Sequence, residues 1–360
     1  MSRPTPIDPT GQSWSELRPL IATTLRAGIS ALVRGHPGVG KSALAAVVAE
    51  DLGLPMHDIR LAQREPAEIA GVFFPDRDKG ELALFPPAWV RSVCEAPAMV
   101  FLDEVNAAVT RLHQAAAYQI VLEKRVGPLK FHPDTVVLAA GNLDEDRAIT
   151  TPLSSALANR FAHFTLRVDV PTWLSWAEGA GIHPAVIAYF RAHQRTGARL
   201  LYDNHGGDAF PTPRSWAMVG QLIGRAEGPQ RLALAAACVG VVAAERFEAF
   251  FRLYDRLDPE AIITGRRKVD FSRGSARDPS FAHAAVLAVC RWVAERPDLG
   301  DDAARRLVEF LASPGLDAEQ RFAGLRELAR HSDWPVRLRT VTGYPALAAD
   351  IVDLHQGLYT

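Results

Sequence analysis

Cysteine is scarce: Cys94, Cys238 and Cys290 are the three among 360 residues, far apart, with no CxxC pair and no Cys/His spacing suited to a metal. A disulfide framework and a structural zinc site are thereby excluded, and the thiols read as small apolar groups, reduced and packed inside. Long hydrophobic runs are also missing. The longest apolar stretch, 232–244, is Ala-rich and well short of the roughly 20 residues a membrane span needs, so it reads as a buried helix. The first fourteen residues are polar and contain proline, without the apolar segment of an export signal. The expectation is a cytoplasmic protein with no membrane insertion. An excess of one charge is lacking too: 40 Lys+Arg against 41 Asp+Glu leave a net charge of −1, which supplies no global field to draw in nucleic acid or an anionic surface. Histidines are scattered, and neither HExxH nor GxSxG occurs, so zinc-peptidase and serine-hydrolase chemistries have no support.

What is present is an ordinary globular composition, 48% hydrophobic and 22% charged, in a chain long enough for two or three domains. From residue 13 to about 167, helical patterns alternate with short apolar or β-branched runs at 30–34, 56–61, 98–102, 135–140 and 163–168. That alternation predicts an α/β fold, a parallel five-stranded sheet flanked by helices. Beyond residue 171 the strand runs fade. Helical spacing appears at 172–179, 184–192, 214–225, 231–252, 281–295, 302–311, 318–331 and 345–355. The stretch 255–280 is rich in Arg, Asp, Gly and Ser, includes Gly265-Arg266-Arg267-Lys268, and reads as a basic linker. The domain expectation is thus 1–168 for a nucleotide-binding core, 169–255 for a helical lid, 256–280 for the linker and 281–360 for a helical C-terminal region.

Chemistry is concentrated in Gly35-His36-Pro37-Gly38-Val39-Gly40-Lys41-Ser42, a GxxxxGK[ST] pattern between the strand at 30–34 and a helical run beginning at Ala43. Glycines let the backbone wrap phosphates, and amides at a helix start point at the anion; Lys41 reaches the outer phosphates and the Ser42 hydroxyl binds Mg²⁺. A second acidic site is expected at the end of a neighbouring strand. Met99-Val100-Phe101-Leu102-Asp103-Glu104 supplies it: Asp103 holds Mg²⁺ and Glu104 polarises the water that attacks the γ-phosphate.

With these two motifs in place, residues 13–225 resemble the AAA+ ATPases, and within them the MoxR-type group. The resemblance rests on Leu102-Asp103-Glu104-Val105-Asn106, a following helix near 112–123, a pre-sensor hairpin at Lys124-Arg125-Val126-Gly127-Pro128-Leu129-Lys130, and the strand 136–140 running into Gly141-Asn142. It implies sensor 1 at Asn142, an arginine finger at Arg160 in Ala156-Leu157-Ala158-Asn159-Arg160-Phe161, with Arg147 as the rival, and a sensor 2 at Arg214 in Pro211-Thr212-Pro213-Arg214. The segment 63–89 occupies the family's helix 2 insertion; Phe73, Phe74, Phe85 and Trp89 either pack it onto the core or face a ring pore or partner. The implied function is an ATP-hydrolysing, Mg²⁺-dependent, ring-forming remodeller, a hexamer by family habit, acting on a partner protein with a von Willebrand factor A domain. Two other readings remain: a motor or clamp-type ATPase on nucleic acid, contacting it through 265–277, and a nucleotide-gated scaffold with little turnover. Nothing in the family matches 281–360.

Overall fold

The structure is a computed structural model that describes residues 11–107, 110–143, 153–193, 197–204, 207–255, 257–272, 279–345 and 348. The chain divides into two compact units. One comprises Met1–Thr172, Tyr202–Gly207 and Thr212–Ser215; the other comprises Trp173–Leu201, Asp208–Pro211 and Trp216–Thr360.

In the first unit the elements run α1 (Trp14–Arg26), β1 (Ala31–Arg34), α2 (Lys41–Leu52), β2 (Met56–Arg60), α3 (Pro66–Ala70), β3 (Val72–Asp76), β4 (Glu81–Phe85), α4 (Ala88–Glu95), β5 (Met99–Asp103), α5 (Arg111–Tyr118), β6 (Arg125–Val126), β7 (Leu129–Lys130), β8 (Val136–Gly141), α6 (Ser155–Ala158) and β9 (Ala162–Thr165). Five strands form one parallel sheet in the order β2-β5-β8-β1-β9. These are the five runs expected from sequence, each within a few residues of its expected limits. Side chains alternate across the sheet, so each strand feeds two cores. Ala31, Val33, Met99, Phe101, Leu138 and Ala140 pack with Leu17 and Ile21 of α1 and Leu44 and Val48 of α2. Leu32, Val100, Leu102, Val137 and Ala139 face the other way, onto Ile69, Val90, Val93, Ala117 and Ile120. A sheet covered on both faces is what near-continuous apolar strands require.

Two small hairpins stand outside this sheet. One, β6–β7, forms where the pre-sensor hairpin is expected. The other, β3–β4, occupies the insertion at 63–89, and its apolar side chains are mostly turned to solvent: Phe74 is 56% exposed and Phe85 67%. Trp89, by contrast, is buried against Phe131.

Among its described residues the second unit has helices and no strands: α7 (Val170–Gly179, whose first turn belongs to the first unit), α8 (Pro184–Ala192), α9 (Gly197–Leu201), α10 (Pro213–Leu222, likewise opening in the first unit), α11 (Gly228–Val239), α12 (Val241–Asp255), α13 (Pro259–Ile263), α14 (Pro279–Ala294), α15 (Asp301–Leu311), α16 (Ala318–His331) and α17 (Trp334–Leu338). The single helix expected over 231–252 is two, broken at Gly240, whose φ of +78° and close approach to the Ala209 carbonyl no other residue would tolerate cheaply. The stretch read as a linker contributes Ile262, Ile263 and Phe271 to a buried core with α14, α15, α16 and Trp334. Most of the helix expected at 345–355 lies outside the described residues. Among the described residues no helix is long and apolar enough to cross a membrane.

Candidate nucleotide-binding site

Parallel strands deliver their carboxyl ends to one edge of the sheet, and ligands in such folds bind beyond that edge. The residues singled out from sequence gather there from four segments. The loop after β1 turns on Gly38 (φ +75°) and Gly40 (φ +99°), left-handed positions that exclude most side chains. A Cβ at Gly35 would come within 3.0 Å of the Leu166 carbonyl, and one at Gly38 within 3.0 Å of Thr212 Oγ1. Helix α2 starts with Gly40 at its cap and no side-chain cap bond, the arrangement that leaves first-turn amides to an anion.

Lys41 Nζ donates to the carbonyls of Gly35 (2.7 Å) and His36 (2.9 Å) and to Asn142 Oδ1 (2.9 Å). The Ser42 hydroxyl donates to Asp103 Oδ2 at 2.7 Å, and Asp103 Oδ1 accepts from the Glu104 backbone N–H at 2.9 Å. Glu104 has φ +55°, a conformation costing about 1–3 kcal/mol for a residue with a side chain and found where function fixes it. Arg214 sits on the first turn of α10, and its backbone N–H donates to the Gly38 carbonyl at 3.3 Å. Thr212 caps that turn, its hydroxyl accepting from the Ser215 N–H at 2.9 Å, while Pro213 takes the first position, where no N–H is needed. Val39 packs beside the α1–α2 core, and Pro37 lies between His36 and Gly38 in the loop.

The donor set fits the expected ligands. Left-handed glycines, an uncapped helix start and an ammonium suit a polyphosphate, and the paired hydroxyl and carboxylate oxygens of Ser42 and Asp103 suit a hard divalent cation.

Arg160 is not part of this gathering. It directly precedes Phe161 and β9, whose first residue, Ala162, pairs with Ala31 at the start of β1. It therefore lies at the amino edge of the sheet, about 13 Å of strand from the phosphate loop at ~3.3 Å per residue, exposed in a shallow groove with Ser155, Asn159 and His163. Arg147 lies outside the described residues.

One contributor was not picked out from sequence, and another was read only as part of the motif that follows the acidic pair. Tyr202 stacks on the His36 ring, centroids 4.3 Å apart and 16° from parallel; nothing local marks a tyrosine so distant in sequence. Asn106 ties the turn after Asp103 to Asn142, and its only sequence signal was its place two residues past the acidic pair.

Residues 31–167 match the model of the ATPase family associated with various cellular activities (AAA). No curated protein matches the chain. Among solved structures, a putative ATPase from Cytophaga hutchinsonii is similar over 64% of this chain and 78% of its own, with 16% identity and a TM-score of 0.36. A RuvB mutant from Thermotoga maritima is similar over 72% and 78%, with 14% identity and a TM-score of 0.38. NtrX from Brucella abortus, in complex with ADP, is similar over 70% and 65%, with 19% identity and a TM-score of 0.34.

Proposed function

We propose that the chain, whose residues 31–167 match the AAA family model, binds ATP with Mg²⁺ at the carboxyl edge of its sheet, hydrolyses it within a ring of its own copies, and uses the cycle to remodel a partner protein. The observation that carries this is the convergence of Lys41, Ser42, Asp103 and Asn142 within direct hydrogen bonds of one another, although 61 residues separate Ser42 from Asp103 and 101 separate Lys41 from Asn142.

Lys41 is the group that exchanges its present acceptors for the outer phosphates. Ser42 and Asp103 hold Mg²⁺, which supplies neutralisation of charge on the phosphate oxygens. Glu104, held off the regular strand path, accepts a proton from the attacking water; Asn142 orients that water or the γ-phosphate; Arg214 reports lid position to the nucleotide. Arg160, on the far edge of its own sheet, serves a neighbouring copy by stabilising transition-state charge. A MoxR-type role and a partner with a von Willebrand factor A domain are the finer reading, supported by the pre-sensor hairpin at 125–130 and by the insertion carrying exposed Phe74 and Phe85.

The test is ATPase rate against protein concentration, with sedimentation with and without ATP. Wild type is expected to gain specific activity as it assembles, and Arg160→Ala to assemble with activity lowered by roughly 10³-fold or more, as for other arginine fingers. Concentration-independent hydrolysis by a monomer would overturn the shared-site mechanism.

A further inference from the structure

Asn106 is 4% exposed, yet its side chain is polar at both ends and both ends are used on one residue. Its Nδ2 donates to the Asn142 carbonyl at 2.9 Å, and its Oδ1 accepts from the Asn142 N–H at 3.0 Å. This two-point grip is what a neighbouring strand residue would give through its own peptide groups. The reason it is needed lies in β5. Leu102 pairs with Ala139 of β8, and the next backbone bond between these segments runs from the Val105 N–H to the Ala140 carbonyl; Asp103 stays in β5, paired with Arg60 of β2, and the chain turns from left-handed Glu104 onward. The turn carries Glu104 but ends the regular ladder with β8, and the carboxamide of Asn106 replaces the peptide that ladder has lost. The residue before Asn142 is fitted to it: a Cβ at Gly141 would fall 2.8 Å from Asn106 Oδ1.

We propose that Asn106 is the positioning residue of the hydrolytic site, acting through Asn142. Resting on the ATPase reading above, it locks the turn that carries Glu104 to the strand end that carries Asn142, so that base and sensor keep one separation. The grip also extends to the phosphate loop. Asn142 Oδ1 faces Lys41 Nζ, which leaves Nδ2 as the donor Asn142 offers to a phosphate oxygen or a water. With the Asn142 backbone unheld, that donor and Glu104 drift relative to each other, and a displacement near 1 Å is enough to lower a rate by about 100-fold.

Steady-state ATPase and fluorescent ATP and ADP binding on the assembled full chain test this with Asn106→Ala, Asn142→Ala and the double variant. Asn106→Ala is expected to lower kcat by about 10- to 100-fold, with nucleotide Kd within about threefold of wild type. Because it acts on the separation between Asn142 and Glu104, the loss in the double variant should be well short of the product of the two single losses. Should Asn106→Ala fail to fold, Asn106→Asp, of the same shape but with the donor lost, gives the same comparison. Wild-type kcat in a folded Asn106 variant, or multiplicative losses in the double variant, overturns the positioning role. Absence of ATPase in wild type instead overturns the function on which it rests.

Discussion

Lys41 and Glu104 both lie at the carboxyl edge of the sheet, and the proposed function gives them different tasks on ATP. The ammonium of Lys41 already serves three oxygens, so it is placed to trade carbonyls for phosphate at little reorganisation, and such charge-assisted bonds are worth about 1.5–3 kcal/mol each. Lys41→Ala is therefore expected to weaken ATP and ADP binding by about 100-fold, measured by titration. On the proposed reading, Glu104 acts on the attacking water rather than on the phosphates. Glu104→Gln should bind ATP as wild type does and lose about 10²- to 10⁴-fold in kcat, read in single-turnover assays. Residues 35–42 and 99–104 were legible in the sequence because each cluster is a continuous segment whose residue order is dictated by one ligand. Tyr202 was not, because its stacking on His36 joins segments 166 positions apart; Asn106 was named as part of the motif after the acidic pair, but its grip on Asn142, 36 positions away, only the fold brings about.

At the scale of elements, the second unit is organised around a buried charge. Arg191 of α8 pairs with Glu178 of α7 at 2.5 Å and with Glu327 of α16 at 3.0 Å, and Arg191 and Glu327 are almost fully buried. The helices after residue 281 thus share a core with those before 201. Removing one member strands a charge in low dielectric, which costs about 3–5 kcal/mol; Glu327→Ala should lower the urea midpoint of the helical unit accordingly, while a surface pair such as Arg305–Asp302 should contribute under about 1 kcal/mol. Helix positions were readable from apolar spacing, as for 184–192 and 318–331. The β3–β4 hairpin was not read as strands, since Val72, Phe73, Phe74, Leu82 and Phe85 are all exposed and leave no alternation to detect. Its turn is marked instead by Asp76, whose carboxylate accepts from the Asp78 and Lys79 N–H groups, and by left-handed Gly80.

The whole molecule has a pH dependence built from half-buried imidazoles. Burial lowers the pKa of His57; burial, with Arg231 nearby and Asp255 opposing, lowers that of His183; burial lowers that of His283 against the pull of Glu319 and Asp317. His183 Nδ1 also accepts from the Ala185 N–H at the start of α8, a bond that requires an unprotonated nitrogen. Unfolded, each imidazole takes up its proton near pH 6.5. Folded, each does so only at lower pH, so below about 6.5 the unfolded chain binds more protons and stability falls as pH falls. Chemical denaturation should show a loss between pH 7 and 5, and His183→Asn with His283→Gln should flatten it. Glu16 and Asp51, held low by Ser13 and Arg18 respectively, act in the same direction in the carboxylate range below.

What the sequence determined by itself was local: five strands, most of the helices, and a phosphate loop and acidic pair whose spacing is set by ligand chemistry acting on neighbouring residues. The tertiary structure decided what depends on separation in sequence. It set Asn142 against Lys41 and Asn106, put Arg214 on the carbonyl of Gly38, placed Arg160 on the opposite edge of the sheet, and drew 257–272 into a core despite its polar composition. Periodicity records which face of a segment is apolar, whereas the pairing of two distant faces is chosen by the burial and hydrogen bonding they achieve only together.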